Sequence, residues 1–213
     1  MTQRLSEAFR MFDTATVADA MDEHGLDGVL TGFETPDQSW AAAGRADTVR
    51  LEPAPDPGAA ATNFPFAMLS ELTADRVLVV GGTAPTVSCW GGNASRLAAA
   101  AGTSGVVVDG GYRDAPAVGD GSVPVFGRAR TPRSGQRRVT VAETGAPVTV
   151  DGVEVAPDDV VVADATGVVV VPADEARAVA ETAEEILAEE RLLEAKIASG
   201  ATAADLRADD HSF

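Results

Sequence analysis

The chain has 213 residues, of which 45% are hydrophobic, which predicts a globular protein of one large domain or two small ones. The chain has 33 acidic and 16 basic residues, which gives a net charge of −17. This charge argues against nucleic-acid binding and favours either adaptation to concentrated salt or a GC-rich genome. The single Cys89 excludes a disulfide framework and multi-cysteine metal sites, and two histidines argue against a histidine metal cage or a His-based triad.

The N-terminal region predicts two helices and no export signal. Residues 2–11 are amphipathic and lack the charged start and apolar core of a signal peptide. Residues 15–24 form the second helical pattern, which Thr14 is expected to cap and Gly25 to end. No run of about 18 apolar residues occurs, so we predict no transmembrane helix and expect a cytoplasmic protein.

The middle of the chain alternates strands and helices around glycine turns. The predicted elements are a strand over 45–52 that PAPDPG (53–58) ends, a helix over 63–73, a buried strand over 75–82, an Ala-rich helix over 91–101 that Gly102 ends, a strand over 105–111 and short strands near 123–126. Such alternation is typical of βαβ units with parallel strands.

The pattern changes after residue 138. Short β segments separated by Gly, Pro and Asp predict an antiparallel sheet or a small barrel; they are RVTVAE (138–143), APVTV (146–150), VEVAP (153–157), DVVVAD (159–164) and GVVVVP (167–172). A long helix over 173–198 follows, with an apolar stripe broken at Glu190, and Gly200 ends it. Together the elements predict one α+β layered domain over residues 1–213.

The densest functional pattern runs from Gly91 to Asp114. Gly91 and Gly92 open a helix, where free backbone N–H groups and the helix dipole favour a carboxylate or phosphate. The next strand ends in a glycine turn that carries Arg113 and Asp114. Arginine offers a planar fork to a carboxylate, and aspartate offers a hard oxygen ligand to Mg²⁺ or Mn²⁺. A salt bridge that only fixes the turn is the alternative.

Six segments carry a family resemblance, in order along nearly the whole chain. They are TATVADAMDEHG (14–25), AAGRADTVR (42–50), WGGNASRLAAAAGTSGVVVDGGYRD (90–114), VPVFGRARTP (123–132), VEVAPDDVVVADATGVVVVP (153–172) and EERLLEAKIASGATAADL (189–206). Together they resemble the RraA-like family, which includes 4-hydroxy-4-methyl-2-oxoglutarate (HMG) aldolases and regulators of ribonuclease activity. The resemblance implies a swivelling β/β/α domain with a long C-terminal helix, assembled as a homotrimer or hexamer.

The resemblance also implies a site pattern from which this chain departs at one position. In the aldolases, an acid, twenty further residues and an Arg–Asp pair build the site. Arg113 and Asp114 match the pair, whereas Gly92 occupies the position of the acid. That acid helps to hold metal-bound water, so its absence predicts weaker metal binding or different chemistry. The regulators typically lack the intact pair, which argues against a purely regulatory role.

The activity implied by the resemblance is a divalent-metal-dependent lyase that cleaves a C–C bond of a short 2-oxo acid. Retro-aldol cleavage of HMG and decarboxylation of oxaloacetate would share a pyruvate enolate. Asp114 would hold Mg²⁺ or Mn²⁺, and Arg113 would stabilise the developing negative oxygen. The expected substrate-binding residues are Gly91, Gly92, Asn93, Ala94 and Arg113. The alternative is a non-catalytic regulatory protein that binds a ribonuclease or another partner.

The general base is not assigned by the motif. The resemblance implies an acid on the C-terminal helix of a neighbouring subunit, for which Glu189 and Glu190 are the matching positions. A solvated helix face and a water-mediated base are the alternatives. Asp19 either lines the pocket or makes a local contact. The only lysine, Lys196, lies outside the motif, which argues against a Schiff-base mechanism.

Other polar residues receive structural interpretations. Five arginines in GRARTPRSGQRR (127–138) predict pairing with acidic residues across a subunit interface, with an anionic substrate, RNA or an acidic partner as alternatives. Asp109 is expected to orient Arg113 or its loop. Asp164 is expected to shape a D-x-x-G turn.

Overall fold

The computed structural model describes residues 7–55, 63–121 and 123–208. Residues 2–6 of the first predicted helix lie outside this part of the chain, as do residues 56–58 of the predicted strand break. The described end of that helix passes into a 3₁₀ turn over Phe9–Met11.

Most of the strands belong to one sheet. The strands are β1 (Val29–Leu30), β2 (Ala42–Pro53), β3 (Arg76–Gly81), β4 (Ser88–Trp90), β5 (Gly105–Tyr112), β6 (Val125–Arg130), β7 (Val139–Thr144), β8 (Val148–Val150), β9 (Val153–Val155), β10 (Val160–Ala163) and β11 (Val168–Val171). Along the sheet the order is β1-β11-β10-β2-β3-β5-β4, with β6 also paired to β5 and β7 to β2. The predicted strands of the middle region are thus confirmed, with shifted ends.

The late β segments divide between two structures. β7, β10 and β11 join the main sheet antiparallel, whereas β8 and β9 form a separate two-stranded hairpin. The central pairs β2–β3, β3–β5, β4–β5 and β5–β6 are parallel. The predicted antiparallel pairing of these segments is therefore confirmed, but they form neither one sheet of their own nor a barrel, because β2 is long enough to pair with β10 at one end and β7 at the other.

Six α-helices complete the described fold. They are α1 (Thr14–Glu23), α2 (Phe66–Leu69), α3 (Gly92–Ala101), α4 (Ala115–Gly119), α5 (Ala176–Ala198) and α6 (Ala203–Ala208). The helix predicted over 63–73 is much shorter than expected. It stops where the Ser70 hydroxyl donates to the Ala67 carbonyl, and the chain then turns towards β3.

The cap of α1 differs from the prediction. Asp13, not Thr14, is the N-cap, and its carboxylate accepts the Thr16 N–H at 2.8 Å. A carboxylate at this position satisfies a first-turn N–H and opposes the positive helix end. At the other end, Gly25 takes a left-handed φ of 66° just after the helix, as the sequence predicts.

The sheet is buried on both faces, which explains its runs of valine. Leu78 and Val80 of β3 pack on one side, in a core with Trp90 and Tyr112. On the opposite side Val77 and Val79 meet Val148, Val150 and Val155 of the β8–β9 hairpin. Because successive strand residues point to opposite faces, an all-apolar strand needs cover on both. Hairpin, sheet and helices form the β/β/α layers of an α+β domain.

The long helix α5 packs on the domain mainly through its first half. Its buried residues are Ala176, Val179, Ala180 and Ala183, which pack with α1 on the sheet. Further along, Leu192 and Ile197 are 53% and 49% exposed. Within the ranges given above, no helix is long and apolar enough to cross a membrane.

Asp164 ties the turn between β10 and β11 to the start of α1. Its carboxylate accepts the Thr14 N–H at 2.9 Å, the Thr14 hydroxyl at 2.8 Å and the Thr166 N–H at 2.8 Å. Burial raises the pKa of Asp164, but the hydrogen bonds from Thr14 and the turn outweigh it and hold that pKa below its ordinary value. The structural role predicted for Asp164 is thus confirmed.

Replacing Asp164 should therefore produce a pH-dependent loss of stability. Since the folded-state pKa lies below the unfolded value of about 3.9, the ionised group stabilises the fold above that pH, and the contribution disappears as pH falls through the folded-state pKa. Asp164→Asn should lower the free energy of unfolding by about 1–3 kcal/mol at pH 7. The difference from wild type should shrink at pH 3. Urea unfolding at both pH values measures it.

The matched control is Asp19→Asn, which changes an exposed carboxylate on α1. That variant should unfold like the wild type at both pH values. An Asp164→Asn variant with wild-type stability at pH 7, or with an equal loss at pH 3, would contradict the assignment.

Candidate functional site

The site is assembled by the parallel pairing of β4 and β5. Trp90 lies opposite Tyr112, and the Arg113 N–H donates to the Trp90 carbonyl at 3.0 Å. Both aromatic residues are buried, with 2% and 0% exposure, so the two strand ends are held by the core. The chain leaves β4 into Gly91 beside the point where it leaves β5 into Arg113.

Two glycines let β5 pass close to its neighbours. A Cβ at Gly110 would collide with the Thr83 hydroxyl, and one at Gly111 would lie 2.7 Å from the Pro85 carbonyl oxygen. Larger residues would therefore push β5 away from the 83–87 loop, and the Arg113–Asp114 turn would move with it.

Arg113 and Asp114 stand side by side at the surface. Arg113 Nε lies 3.7 Å from Asp114 Oδ2, and the two side chains are 43% and 51% exposed. Asp114 has a left-handed φ of 56°, a conformation that aspartate tolerates better than most residues. An ion pair this long and this exposed contributes little to stability, so both groups remain available to a ligand.

The start of α3 faces the Asp114 carboxylate. Gly91 is the N-cap and provides no side-chain cap, and the Gly92 N–H donates to Asp114 Oδ2 at 3.3 Å. The N–H groups of Asn93 and Ala94 also lie in the first turn, where the helix itself supplies no acceptor. A positive helix end and unpaired donors suit a carboxylate.

Gly91 and Gly92 both lie close to neighbouring atoms, and Gly92 is the more constrained, because Asp114 Oδ2 ends an exposed side chain that can turn aside whereas the Ala117 Cβ is fixed to the backbone. A Cβ at Gly91 would lie 2.9 Å from Asp114 Oδ2, and one at Gly92 would lie 2.9 Å from the Ala117 Cβ of α4. The position that matches the family's acid is thus closed by Ala117, and an aspartate there would not fit without a change in α4.

A cavity of about 350 Å³ opens beside these groups. Its lining contains polar groups and an apolar wall, which consists of Phe64, Pro65, Phe66, Leu69 and Leu97. The complete described lining is Phe64, Pro65, Phe66, Leu69, Ser88, Cys89, Trp90, Gly91, Asn93, Ala94, Leu97, Arg113, Asp114, Ser134 and Gln136. The volume is in the range of small-molecule sites. Arg113, Asp114, Gly91, Asn93 and Ala94 therefore share one cavity, while Gly92 is buried behind it.

The apolar wall and the Ser134–Gln136 edge are absent from the sequence-based set of site residues. The edge is held in place because the Gly135 N–H donates to the Ser88 carbonyl at 2.8 Å. Most of the apolar wall comes from residues 64–69, in the segment predicted as a helix over 63–73, and Phe66 there is 80% exposed. The only sequence signal for this wall is Phe66, an aromatic residue that the predicted amphipathic helix would leave unburied.

The donor set fits at most a weakly held, largely hydrated divalent ion. No group of three or more His, Cys, Asp or Glu side chains that could hold a metal is found in the described residues. Asp114 is the carboxylate of the cavity. Magnesium keeps several waters and can be held by one or two carboxylates together with a substrate, so one aspartate is compatible with it.

Cys89 lines the cavity but is a poor nucleophile. Burial raises the pKa of its thiol to about 11, and a hydrogen bond with Thr83 lowers it only in part. The thiolate fraction at neutral pH is therefore small.

Several other predicted residues lie away from the cavity. Glu190 accepts a hydrogen bond from the Thr16 hydroxyl at 3.4 Å, and Glu189 is exposed on the same helix. Neither residue lines the cavity of its own chain, and the exposed Asp19 does not line it either. A role for Glu189 or Glu190 would require a neighbouring subunit, as the resemblance implies.

Asp109 does not orient Arg113. Its carboxylate accepts from Arg128 Nε at 2.8 Å, and Arg128 also pairs with Asp151 and lies 4.1 Å above the Phe33 ring. The prediction for Asp109 is wrong because its side chain leaves β5 towards β6, where Arg128 lies. At least this arginine of the 127–138 segment finds its acidic partners within the chain.

A larger cavity lies elsewhere and holds none of the predicted site residues. It measures about 650 Å³ and lies between the 9–13 segment, residues 41–43 and residues 162–164. It contains Asp164, whose carboxylate is occupied by Thr14.

Comparison with known proteins identifies the group to which this chain is related. The family model described as RraA-like, Aldolase/RraA, matches residues 14–170. A Burkholderia mallei protein named "putative 4-hydroxy-4-methyl-2-oxoglutarate aldolase" is 33% identical over 165 residues, which cover 75% of this chain and 95% of that protein. Protein DlpA of Legionella pneumophila is 29% identical over 92% of this chain, which spans only 32% of DlpA.

An uncharacterized protein of Methanocaldococcus jannaschii is 34% identical over 57% of this chain, and the match spans 58% of that protein. The chain therefore spans about a third of the length of DlpA and somewhat over half of the length of the Methanocaldococcus protein.

Solved structures give the same grouping. An uncharacterized protein from Pseudomonas syringae superposes with a TM-score of 0.85 at 29% identity, covering 96% of this chain and 97% of its own. A Streptomyces coelicolor protein, described as an unusual member of the RNase ES inhibitor RraA family, superposes with a TM-score of 0.79 at 30% identity, covering 90% and 96%. The chain belongs to the RraA-like family, which holds proteins named as aldolases and as RNA-processing inhibitors.

Proposed function

We propose that this protein is a divalent-metal-dependent lyase that cleaves a C–C bond of a short 2-oxo acid. The observation that carries the proposal is the juxtaposition of Arg113, Asp114 and the start of α3 at one cavity. Membership of a family with a protein named as an HMG aldolase supports the same chemistry. Retro-aldol cleavage of an HMG-like acid and decarboxylation of oxaloacetate are the two reactions proposed.

The residues of this chain would have two roles, which are substrate binding and stabilisation of the developing negative charge. The N–H groups of Asn93 and Ala94 would bind the C1 carboxylate of the substrate, since they lie in the first turn of α3. Arg113 would donate to the C2 oxygen, where negative charge develops as the C3–C4 bond breaks and its electron pair moves towards C2. Trp90 and the apolar wall would exclude water from the reacting carbon.

Asp114 is the residue proposed to hold Mg²⁺ or Mn²⁺, with water and substrate as the other ligands. When bound, the ion supplies Lewis-acid polarisation of the 2-oxo group. Because Gly92 leaves the outer ligand sphere without the family's acid, we expect the ion to bind weakly in the absence of substrate.

The general base and the oligomeric state are proposed from the family resemblance. Glu189 or Glu190 of a neighbouring subunit would take the proton from the substrate hydroxyl, or a water would relay it. Second copies of this chain, as a homotrimer or hexamer, are the partners proposed for the half of α5 that carries the exposed Leu192 and Ile197.

A binding or regulatory role is the second candidate. It is favoured by the closed position at Gly92 and by the lack of an acidic cluster among the described residues. Titration of Mn²⁺ with and without pyruvate separates the two roles, since cooperative binding of metal and pyruvate supports the lyase.

Conservative changes at the Arg–Asp pair should abolish most of the activity. Arg113→Lys removes the planar fork, and Asp114→Asn removes the only carboxylate among the described residues that line the cavity. Each should lower kcat/KM for pyruvate release from HMG or oxaloacetate, with Mg²⁺ or Mn²⁺ present, by about 100-fold or more. A coupled assay that follows pyruvate measures the rate.

Arg177→Lys is the matched control for Arg113→Lys, because Arg177 is exposed on α5 and does not line the cavity. It should keep wild-type rates. Turnover that does not depend on metal, together with wild-type behaviour of Asp114→Asn, would refute the lyase assignment.

Restoring the family's acid should require a second change. Gly92→Asp alone should destabilise the fold, because its Cβ would lie 2.9 Å from the Ala117 Cβ. Gly92→Asp combined with Ala117→Gly should regain stability and bind Mn²⁺ about tenfold more tightly than the wild type. Thermal unfolding and calorimetric titration of Mn²⁺ measure the two effects.

Ala117→Gly alone controls for the loss of a methyl group in α4 and should leave the Mn²⁺ affinity unchanged. If Gly92→Asp is as stable as the wild type, the proposed steric block at Ala117 is wrong. If the double variant folds but binds Mn²⁺ no better, position 92 does not communicate with the metal.

A further inference from the structure

The cavity beside Arg113 is unusually apolar for a site that would accept a dicarboxylate. Eight of its lining residues are apolar, and they are Phe64, Pro65, Phe66, Leu69, Cys89, Trp90, Ala94 and Leu97. Phe66 is 80% exposed and Leu97 is 50% exposed. Large apolar side chains that remain open at the mouth of a cavity provide surface for an apolar ligand group.

The charges of the cavity are matched to one carboxylate, not two. Arg113 is the only basic residue among the described lining residues, and Asp114 is the only acidic one. The other polar side chains of the described lining are neutral, and they are Ser88, Asn93, Ser134 and Gln136. The Ser88 hydroxyl donates to the Trp90 carbonyl at 2.8 Å, and the Asn93 amide oxygen accepts from Arg96 at 3.0 Å. A second carboxylate placed against the apolar side chains would lose its hydration without gaining a cation from the described lining residues of this chain.

A second depression also borders the Arg113–Asp114 pair. It measures about 320 Å³, and its lining residues are Tyr112, Arg113, Asp114, Ala115, Arg130, Thr131 and Pro132. The Arg130 guanidinium in it donates to the Tyr112 hydroxyl at 3.0 Å. Asn93 and Ala94 line the apolar cavity and not this depression. A substrate whose C1 carboxylate is held by the start of α3 would therefore place its tail in the apolar cavity, which Phe66 and Leu97 also line.

We infer that the site selects 2-oxo acids with a single carboxylate and an apolar tail, aliphatic or aromatic, over 2-oxo dicarboxylic acids. The inference rests on the proposed function: it keeps the C–C cleavage of a 2-oxo acid and makes HMG and oxaloacetate, which are both dicarboxylic acids, weaker ligands than acids with a single carboxylate. Cleavage of such a 4-hydroxy-2-oxo acid breaks the C3–C4 bond, moves the C4 hydroxyl proton to a base and protonates C3. The products are pyruvate and an apolar aldehyde or ketone, so the reaction needs no further reactant.

Two ligands that differ only in the tail test the inference by binding. Phenylpyruvate and 2-oxoglutarate share the C1 carboxylate and the 2-oxo group, but one carries a phenyl ring and the other a second carboxylate. Calorimetric titration of the wild type in the presence of Mn²⁺ should show phenylpyruvate binding about tenfold more tightly, since burial of the ring is favourable and the second carboxylate has no partner.

A charge placed on the apolar wall should reverse the preference. Leu97→Arg puts a cation at a half-exposed position of α3, and it should bind 2-oxoglutarate about tenfold more tightly than the wild type and phenylpyruvate more weakly. Ala100→Arg is the matched control, because Ala100 is exposed on the same helix and does not line the cavity. This control should keep the wild-type preference.

The outcomes separate this inference from the proposed function. Tighter binding of 2-oxoglutarate than of phenylpyruvate by the wild type would overturn the inference and leave the lyase proposal standing. An unchanged preference in a folded Leu97→Arg variant would overturn it as well. If no 2-oxo acid binds with or without Mn²⁺, the proposed function and the inference are both wrong.

Discussion

The parallel pairing of β4 with β5 is the constraint on which the site depends. It brings Gly91 and Arg113, which are 22 positions apart in sequence, to adjacent strand ends. The Arg113 N–H donates to the Trp90 carbonyl at 3.0 Å, and this bond holds the two strand ends together. Trp90 and Tyr112 are buried beneath it, so the hydrophobic core holds the register. The exposed Arg–Asp pair is positioned by apolar packing, not by its own weak attraction.

Close packing around glycine limits what this site can become. A Cβ at Gly92 would lie 2.9 Å from the Ala117 Cβ, which is fixed to the backbone of α4, whereas a Cβ at Gly91 would approach most closely the end of the exposed Asp114 side chain. Close packing of α4 therefore suits a glycine at position 92. An acidic side chain there would require a change in α4.

Charged groups and apolar surface meet in one cavity. The start of α3, Arg113 and Asp114 supply polar groups, and Phe66 and Leu97 supply exposed apolar side chains. In the proposed function, the polar groups would bind the part that all 2-oxo acids share, and the apolar side chains would distinguish among their tails. A substitution of Phe66 or Leu97 would then change the preferred substrate without altering Arg113 or Asp114.

The sequence by itself determined the elements whose signals are local. Glycine and valine patterns located α3, β3 and β5. The resemblance to the RraA-like family indicated that Gly92 stands at the position where the family's aldolases carry an acidic residue. The sequence could not determine that β7, β10 and β11 join one sheet, that Asp109 pairs with Arg128, or that Ala117 blocks position 92. Those contacts join residues far apart along the chain, so the local periodicity of the sequence does not indicate them. The apolar wall of the cavity likewise forms only when the 64–69 segment packs beside α3.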